Sequence, residues 1–448
     1  MAYDPSWRGL TFHDVVPARA LTAREYLEAC LERIDAREPV VQAFAALNIE
    51  GARAAADAAT QRYAEGRALS PIDGMPIAIK DLIETADMPT QLGCAAMAGN
   101  WPKRDSAMVQ ALREAGAVIL GKAVTTEMGM SEPGPTTNPW NPAHTPGGSS
   151  SGSAAAVAAG FVPVAIGTQV AGSIIRPAAY CGNWALKPTQ GGVHRGERQG
   201  TSQSTAGPHG NCPEDIWAVA REISARVGGD PGTPGLQGPM ATPPPQRPMR
   251  LAVMFTECWP RIDAESQEAF LRFVRGLPCD LIWPEQHPLL AAFERATSNA
   301  MALGTLITAF ENRWAFRNLP RQGVSARLAR RLDTSAATTS DDYAAALAER
   351  AAMRAAHAAI APLADAVIAP ACPGPAPVWN PRANDAADNP RPTGDPSCNA
   401  GTSALGCPAV TVPMLAVRGL PMGVQLIGQP HEDARMVALA RWLAASRA

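Results

Sequence analysis

Short apolar runs bounded by Gly and Pro alternate with longer amphipathic stretches along most of this chain. The runs at 75–79, 117–120, 162–166, 251–255, 366–369, 409–412 and 423–427 have the length and composition of buried strands. Helical periodicity at 214–226, 264–275, 289–316, 341–361 and 432–446 predicts helices between and after them. Ahead of the first run the pattern is helical. Thr22-Ala-Arg-Glu25 is a capping box that opens a helix over 23–36, an Ala-rich helix covers 51–65, and a third helix, at 105–115, follows the first run. Strands alternating with helices argue for α/β layering.

Two stretches interrupt the alternation. Residues 228–250, which include Pro243-Pro-Pro245, are rich in Gly and Pro and form a connection that could link two domains. Residues 370–396 are rich in Pro, Asn and Asp and read as a long loop of the kind that carries function, with Trp379 and Asn399 as nearby candidates for substrate contact. Gly116-Ala-Val-Ile-Leu-Gly121-Lys122 imitates the start of a phosphate-binding loop, but Ala123 stands where Ser or Thr should hold magnesium. Its intervening residues are the apolar centre of a strand, so nucleotide binding is set aside.

Composition narrows the classes further. With 46% hydrophobic and 18% charged residues, the 448-residue chain can build a large core. A net charge of −2 gives no field suited to a polyanion, so nucleic acid is not expected as a partner. No run of about 18 apolar residues suggests a membrane span and the N-terminus has no leader pattern, which points to a cytoplasmic protein. Nine scattered cysteines without a C-x-x-C pair read as reduced structural thiols. None of the seven histidines falls in H-E-x-x-H, and neither metal nor cofactor is implied.

The least ordinary segment is Pro146-Gly-Gly-Ser-Ser-Ser-Gly-Ser153, which runs into the Ala-rich 154–160. Alone it could be a flexible turn and a capped helix. A strand later comes Gly167-Thr-Gln-Val-Ala-Gly-Ser173-Ile-Ile-Arg176-Pro177, in which Gly172 lets successive amides converge on one point, as an oxyanion requires. A serine nucleophile there needs a base. His144 lies on a proline-bounded stretch and reads as a loop residue, whereas Lys80 ends an apolar strand, where burial disfavours the charged ammonium and lowers its pKa. The competing role for Lys80 is a structural ion pair with Asp81 or another acid.

Taken together, Gly74-Met-Pro-Ile-Ala-Ile-Lys80-Asp-Leu, Asn138-Pro-Trp-Asn-Pro142, Pro146-Gly-Gly-Ser-Ser150, Gly167-Thr168, Gly172-Ser173 and Cys181-Gly182 resemble the amidase signature family in order and spacing. Gly419-Leu-Pro-Met-Gly-Val-Gln-Leu-Ile-Gly428 looks like that family's closing strand, and the likeness is weakest between 190 and 400. The resemblance implies one domain over 1–448: a helical section to about 70, a signature core over about 71–225, and a variable region with the rest of the sheet over about 250–448. The fold it implies is α/β, a large mixed central sheet between helices on both faces. It also implies a Ser–cis-Ser–Lys arrangement with Ser173 as nucleophile, Ser149 as bridge after a cis Gly148–Ser149 bond, and Lys80 as base. Amides of Val170, Ala171, Gly172 and Ser173 would hold the oxyanion, the Met128 backbone would meet substrate, and Ser150, Thr168, Gln169 and Arg176 would surround the site.

The chain departs from the family pattern where Gln169 replaces the usual Asp and where the arginine comes one place later, at Arg176. Both departures bear on the surroundings of the site and the substrate class. The expected activity is hydrolysis of a small carboxamide through an acyl-enzyme, without nucleic acid or membrane partner. Homodimers are frequent in the family, although no residue here marks a dimer surface. The alternatives are a hydrolase of urea, biuret or allophanate type, the glutaminase component of a glutamine amidotransferase, and a non-catalytic scaffold.

Overall fold

A computed structural model of the chain describes residues 3–4, 11–130, 132–196, 201–319, 322–379 and 391–446. Its strands are β1 (Phe44–Leu47), β2 (Pro76–Lys80), β3 (Val118–Ala123), β4 (Val164–Gln169), β5 (Trp184–Lys187), β6 (Thr205–Gly210), β7 (Arg250–Val253), β8 (Asp280–Ile282), β9 (Ala366–Pro370), β10 (Ala409–Val417) and β11 (Leu420–Ile427). They form one sheet in the order β1-β3-β2-β4-β6-β5-β10-β11-β9-β7-β8. The sheet is mixed: β2 runs parallel to β3 and β4, and β7 to β8 and β9, while the remaining pairs are antiparallel.

The helices are α1 (Ala23–Val41), α2 (Ile49–Ala64), α3 (Ala107–Glu114), α4 (Ser151–Ala158), α5 (Ile175–Cys181), α6 (Pro213–Val227), α7 (Ala264–Arg275), α8 (Pro288–Thr297), α9 (Ala300–Arg317), α10 (Ala326–Ala337), α11 (Ser340–Ala359), α12 (Ser397–Leu405) and α13 (Asp433–Ala445). Strand alternation sorts them onto two faces. Ile77 and Ile79 of β2 enter the core that contains Met108 and Val109 of α3 and Ile216 of α6. Ala78 enters the opposite core with Leu27 of α1, Ala56 of α2 and Ala155 of α4. Lys80 has the parity of Ala78, so its amine is delivered to the α4 face.

The capping box forms as expected, with Thr22 accepting from the Glu25 amide at 3.1 Å and Glu25 accepting from the Thr22 amide at 2.9 Å. The helix continues through Pro39 to Val41, five residues past its expected end. The 289–316 pattern is two helices, α8 and α9, broken at Ser298 and Asn299. Residues 228–249 contain neither helix nor strand, and strands from both sides of this connection share the sheet. The imitation phosphate loop is the buried strand β3, and Lys122 donates to Ile83 O at 2.8 Å and Thr90 Oγ1 at 2.6 Å.

Strands β1, β5 and β8 and helices α5, α10 and α12 lay outside the expectations, and so did two features that bear on the site. Cys258 and Cys398, 140 residues apart, form a disulfide, which corrects the picture of nine reduced thiols; a pair so distant leaves no spacing signal. Strand β6, Thr-Ala-Gly-Pro-His-Gly, reads locally as a turn, yet all six residues are buried between β4 and β5. Gly207 is required there because a Cβ would stand 2.1 Å from Leu186 O. Replacing it with Ala should destabilise the protein by about 3 kcal/mol, since backbone and not a flexible side chain must move. Urea denaturation of Gly207→Ala beside the wild type checks this.

Candidate active site

The end of β2 buries an amine that, among the described residues, has no carboxylate in contact. Lys80 is fully buried, and Nζ lies 2.7 Å from Ser149 Oγ, 2.9 Å from Ser150 Oγ, 3.0 Å from Thr168 Oγ1 and 3.3 Å from Thr168 O. Burial pushes its pKa well below that of an ordinary lysine. The competing Lys80–Asp81 pair does not form: Asp81 turns to Lys122 at 3.3 Å and accepts from the Gln91 amide.

Ser149 follows a cis Gly148–Ser149 bond, and its carbonyl accepts from the Thr126 amide at 3.1 Å. Helix α4 starts directly afterwards. Ser151 donates to Val124 O and Ser153 to Ile166 O, which stitches the serine-rich turn to β3 and β4. Gly152 permits this, since a Cβ would approach Val124 N to 2.4 Å and Ala43 O to 2.3 Å.

Gln169 organises the second loop. Its Oε1 accepts from the amides of Ile174 at 2.9 Å and Ile175 at 3.0 Å, while Nε2 donates to Ser403 Oγ at 3.2 Å and Thr402 Oγ1 at 3.4 Å on α12. Ser403 in turn donates to Ala171 O at 3.3 Å. Gly172 lies under Asn399, whose Oδ1 would be 2.8 Å from a Cβ there. Among the described residues, the amides of Val170, Ala171, Gly172 and Ser173 donate to no backbone carbonyl or side chain. The Ser150 amide donates to Ser173 O at 3.4 Å, so the two loops touch. A hydrogen bond from the Ser173 hydroxyl to Ser149 is not among those formed by the described residues, and such links often close only around substrate.

Arg176, at the start of α5, is buried; Nη2 donates to Gly148 O at 2.5 Å and Thr393 Oγ1 at 3.2 Å. Among the described residues its Nε and Nη1 are buried without a partner, and burial depresses its pKa. Met128 takes a left-handed conformation, with φ 53°, in a turn that brushes Ser149: a Cβ on Gly129 would be 3.7 Å from Ser149 Oγ. Met128 and Met130 pack with Phe316 of α9 and Leu328 and Leu332 of α10, giving this side an apolar wall. Glu127 accepts from Ser325, which fixes α10 to the turn.

The structure therefore gathers Lys80, Ser149, Ser150, Thr168, Gln169, Gly172, Ser173 and Arg176, with Met128 beside them. Trp379 is held elsewhere, its amide donating to Ala143 O at 2.8 Å, and His144 bonds Ala376 O at 2.6 Å. Residues 380–390 of the expected functional loop lie outside the described residues. Sequence reasoning did not anticipate Thr402 and Ser403 as supports of the loop, because small hydroxyls on a helix carry no local signal. Among the described residues one group could hold a metal: His13, Cys212 and Glu214. It is already engaged internally, His13 with Asp215 and Asp14 and Glu214 with Arg441.

A family model described as Amidase matches residues 25–437. A glutamyl-tRNA(Gln) amidotransferase chain of Chloroflexus aurantiacus is 34% identical over 93% of this chain and 92% of its own. Among solved structures, an amidase aligns with a TM-score of 0.83 at 26% identity, covering 97% of this chain and 98% of its own. A protein from an unexpected vestigial complex bearing on the origins of an s-triazine catabolic enzyme aligns at 0.82 and 27%, covering 96% and 97%.

Removing the Gln169 amide would strand two buried backbone N–H groups. Gln169→Leu should lower stability by about 2–3 kcal/mol in urea unfolding and slow labelling of Ser173 by a fluorophosphonate.

Proposed function

Since the chain belongs to the amidase signature family, we propose that it is a single-domain amidohydrolase that cleaves the C–N bond of a small carboxamide through an acyl-enzyme on Ser173. The observation that carries this is the fully buried Lys80 amine, 2.7 Å from Ser149 Oγ and free of any carboxylate contact. Neutral Lys80 takes the proton of Ser149, which takes that of Ser173 as the Ser173 oxygen attacks the carbonyl carbon. The amides of 170–173 stabilise the oxyanion. The protons then return through Ser149 to the leaving nitrogen, which departs as ammonia or an amine. Water adds to the ester, its proton passes along the same hydroxyls, and the acid is released.

The apolar wall of Met128, Met130, Phe316, Leu328 and Leu332 supports an aliphatic or aryl carboxamide. Two observations favour other readings. Identity of 34% over 93% of the chain supports a component of a glutamine-using amidotransferase, and the unpartnered N–H groups of Arg176 support a substrate with an extra acceptor, such as a urea derivative.

Ammonia release from a panel of carboxamides, ureas and glutamine separates the three. Turnover of simple carboxamides is expected, and it should vanish in Ser173→Ala and fall by about a thousandfold in Lys80→Met. Glutamine as sole substrate would overturn this reading in favour of the amidotransferase. Because the neutral amine is the active form, the rate should rise with pH along an acid limb set by Lys80, well below the ordinary lysine range. A limb in the ordinary range would remove Lys80 as base.

A further inference from the structure

Behind the serine-rich turn lies an imidazole that none of the chemistry above uses. His209, on β6, is fully buried, and among the described residues neither ring nitrogen has a hydrogen-bond partner. It pairs in register with Ala165 of β4 and Ala185 of β5, two small residues that leave room for the ring. The ring reaches Gly167, the residue that continues the register of β4 beside Lys80. A Cβ on Gly167 would stand 2.6 Å from His209 Nε2 and 2.8 Å from Ser150 Oγ, so imidazole and hydroxyl border the same small gap. Ser150 Oγ is 2.9 Å from Lys80 Nζ. Burial, followed by the Lys80 charge, pushes the His209 pKa down to about 3, so the ring is neutral at working pH.

Resting on the relay reading above, we propose that His209 is a positioning residue that ends the hydrogen-bond chain Lys80–Ser150–His209 and stabilises Lys80 once it has taken a proton. With neutral Lys80, the Ser150 hydroxyl can donate to Thr168 O, 3.2 Å away. When Lys80 becomes an ammonium its new N–H faces Ser149, and the charge draws its other hydrogens more strongly to Thr168 O at 3.3 Å and Oγ1 at 3.0 Å. Ser150 then accepts from Lys80 and turns its own hydrogen to His209 Nε2, the remaining acceptor at the gap. No bond to carbon changes; one proton has moved from Ser149 to Lys80, and the two hydroxyl and amine hydrogens re-aim. Lys80 is the charge that acts on His209, and no charged group acts appreciably on Lys80. The cations on neighbouring elements are occupied or directed elsewhere: Lys187 of β5 donates to Cys407 O and Pro188 O, and Arg176 of α5 to Gly148 O.

The test is the rate of fluorophosphonate labelling at Ser173 across pH in wild type, His209→Leu and His209→Gln. An acceptor that favours the ammonium raises the Lys80 pKa above what burial alone would leave. His209→Leu should therefore move the acid limb to lower pH and slow the plateau about five- to tenfold, the value of one ordinary hydrogen bond. His209→Gln, which keeps an acceptor, should recover most of both. Thermal unfolding should leave His209→Leu no less stable, since the change removes two unsatisfied buried nitrogens. A wild-type limb and plateau in His209→Leu would overturn the proposal and leave the ring a core filler. Equal slowing in both variants with a lowered unfolding temperature would do the same. Labelling reads the relay without a natural substrate, so a silent amide panel beside normal labelling would sink the amidase reading and not this one; a wild-type Ser173 that never labels overturns both.

Discussion

Burial of the Lys80 amine among oxygen atoms that carry no formal charge is the constraint on which the rest of the site depends. Removing an ammonium from water costs several kcal/mol even after relaxation, and no carboxylate is placed to offset it. The protein meets this by burial that lowers the proton affinity of the group, which is ringed by three hydroxyls and one carbonyl. The one acid adjacent in sequence, Asp81, is diverted to Lys122, an ion pair that keeps its negative charge away from the Lys80 amine. Were Asp81 to face Lys80, the pair would be an ammonium and a carboxylate, and the lysine could not accept a proton.

The same logic explains why a neutral amide at 169 is compatible with the site. Gln169 sits at the end of β4, one residue from Thr168, whose carbonyl and hydroxyl both meet Lys80. A carboxylate here could accept from the Ile174 and Ile175 amides, but it could not donate to Thr402 and Ser403. It would also favour the charged form of the nearby lysine. The amide does both mechanical jobs at once and ties the nucleophile loop to α12, more than 230 residues further along the chain. The Cys258–Cys398 disulfide fixes the first turn of that same helix to the 258–262 segment, so the support of the loop is itself braced.

What could be read from the sequence follows from how locally each feature is encoded. The proposed base, bridge and nucleophile lie on three short segments whose Gly, Ser and Pro content is unusual, each at or near an apolar strand that period and composition reveal. Strands β2, β4 and β11 were visible as apolar runs. Strand β6 was not, because Gly207, Pro208 and Gly210 follow turn chemistry while their burial comes from strands β4 and β5. For the same reason His209 was invisible: a histidine between Pro and Gly looks like a loop residue until the sheet brings it against Gly167. The α8–α9 break was hidden because periodicity persists across Ser298 and Asn299. The disulfide and the Gln169–α12 contacts are long-range and leave no pattern at all.

Exposure along the proposed relay falls from a half-buried Ser173 to Ser149 at 3% and Lys80 at 0%. A base in direct contact with the nucleophile would have to stand in the substrate pocket, where water would compete for its lone pair. An intervening hydroxyl removes that requirement, because serine donates and accepts through the same oxygen and carries the proton inward without carrying charge outward. The lysine can then stay sealed beneath α4, where desolvation keeps its lone pair available. The architecture that results places the chemistry at the surface of the sheet and the control of proton affinity beneath it. On the proposed relay, substitutions in the buried layer of Lys80, Ser150, Thr168 and His209 act on the base, whereas those at Met128 and α10 act on what the nucleophile meets.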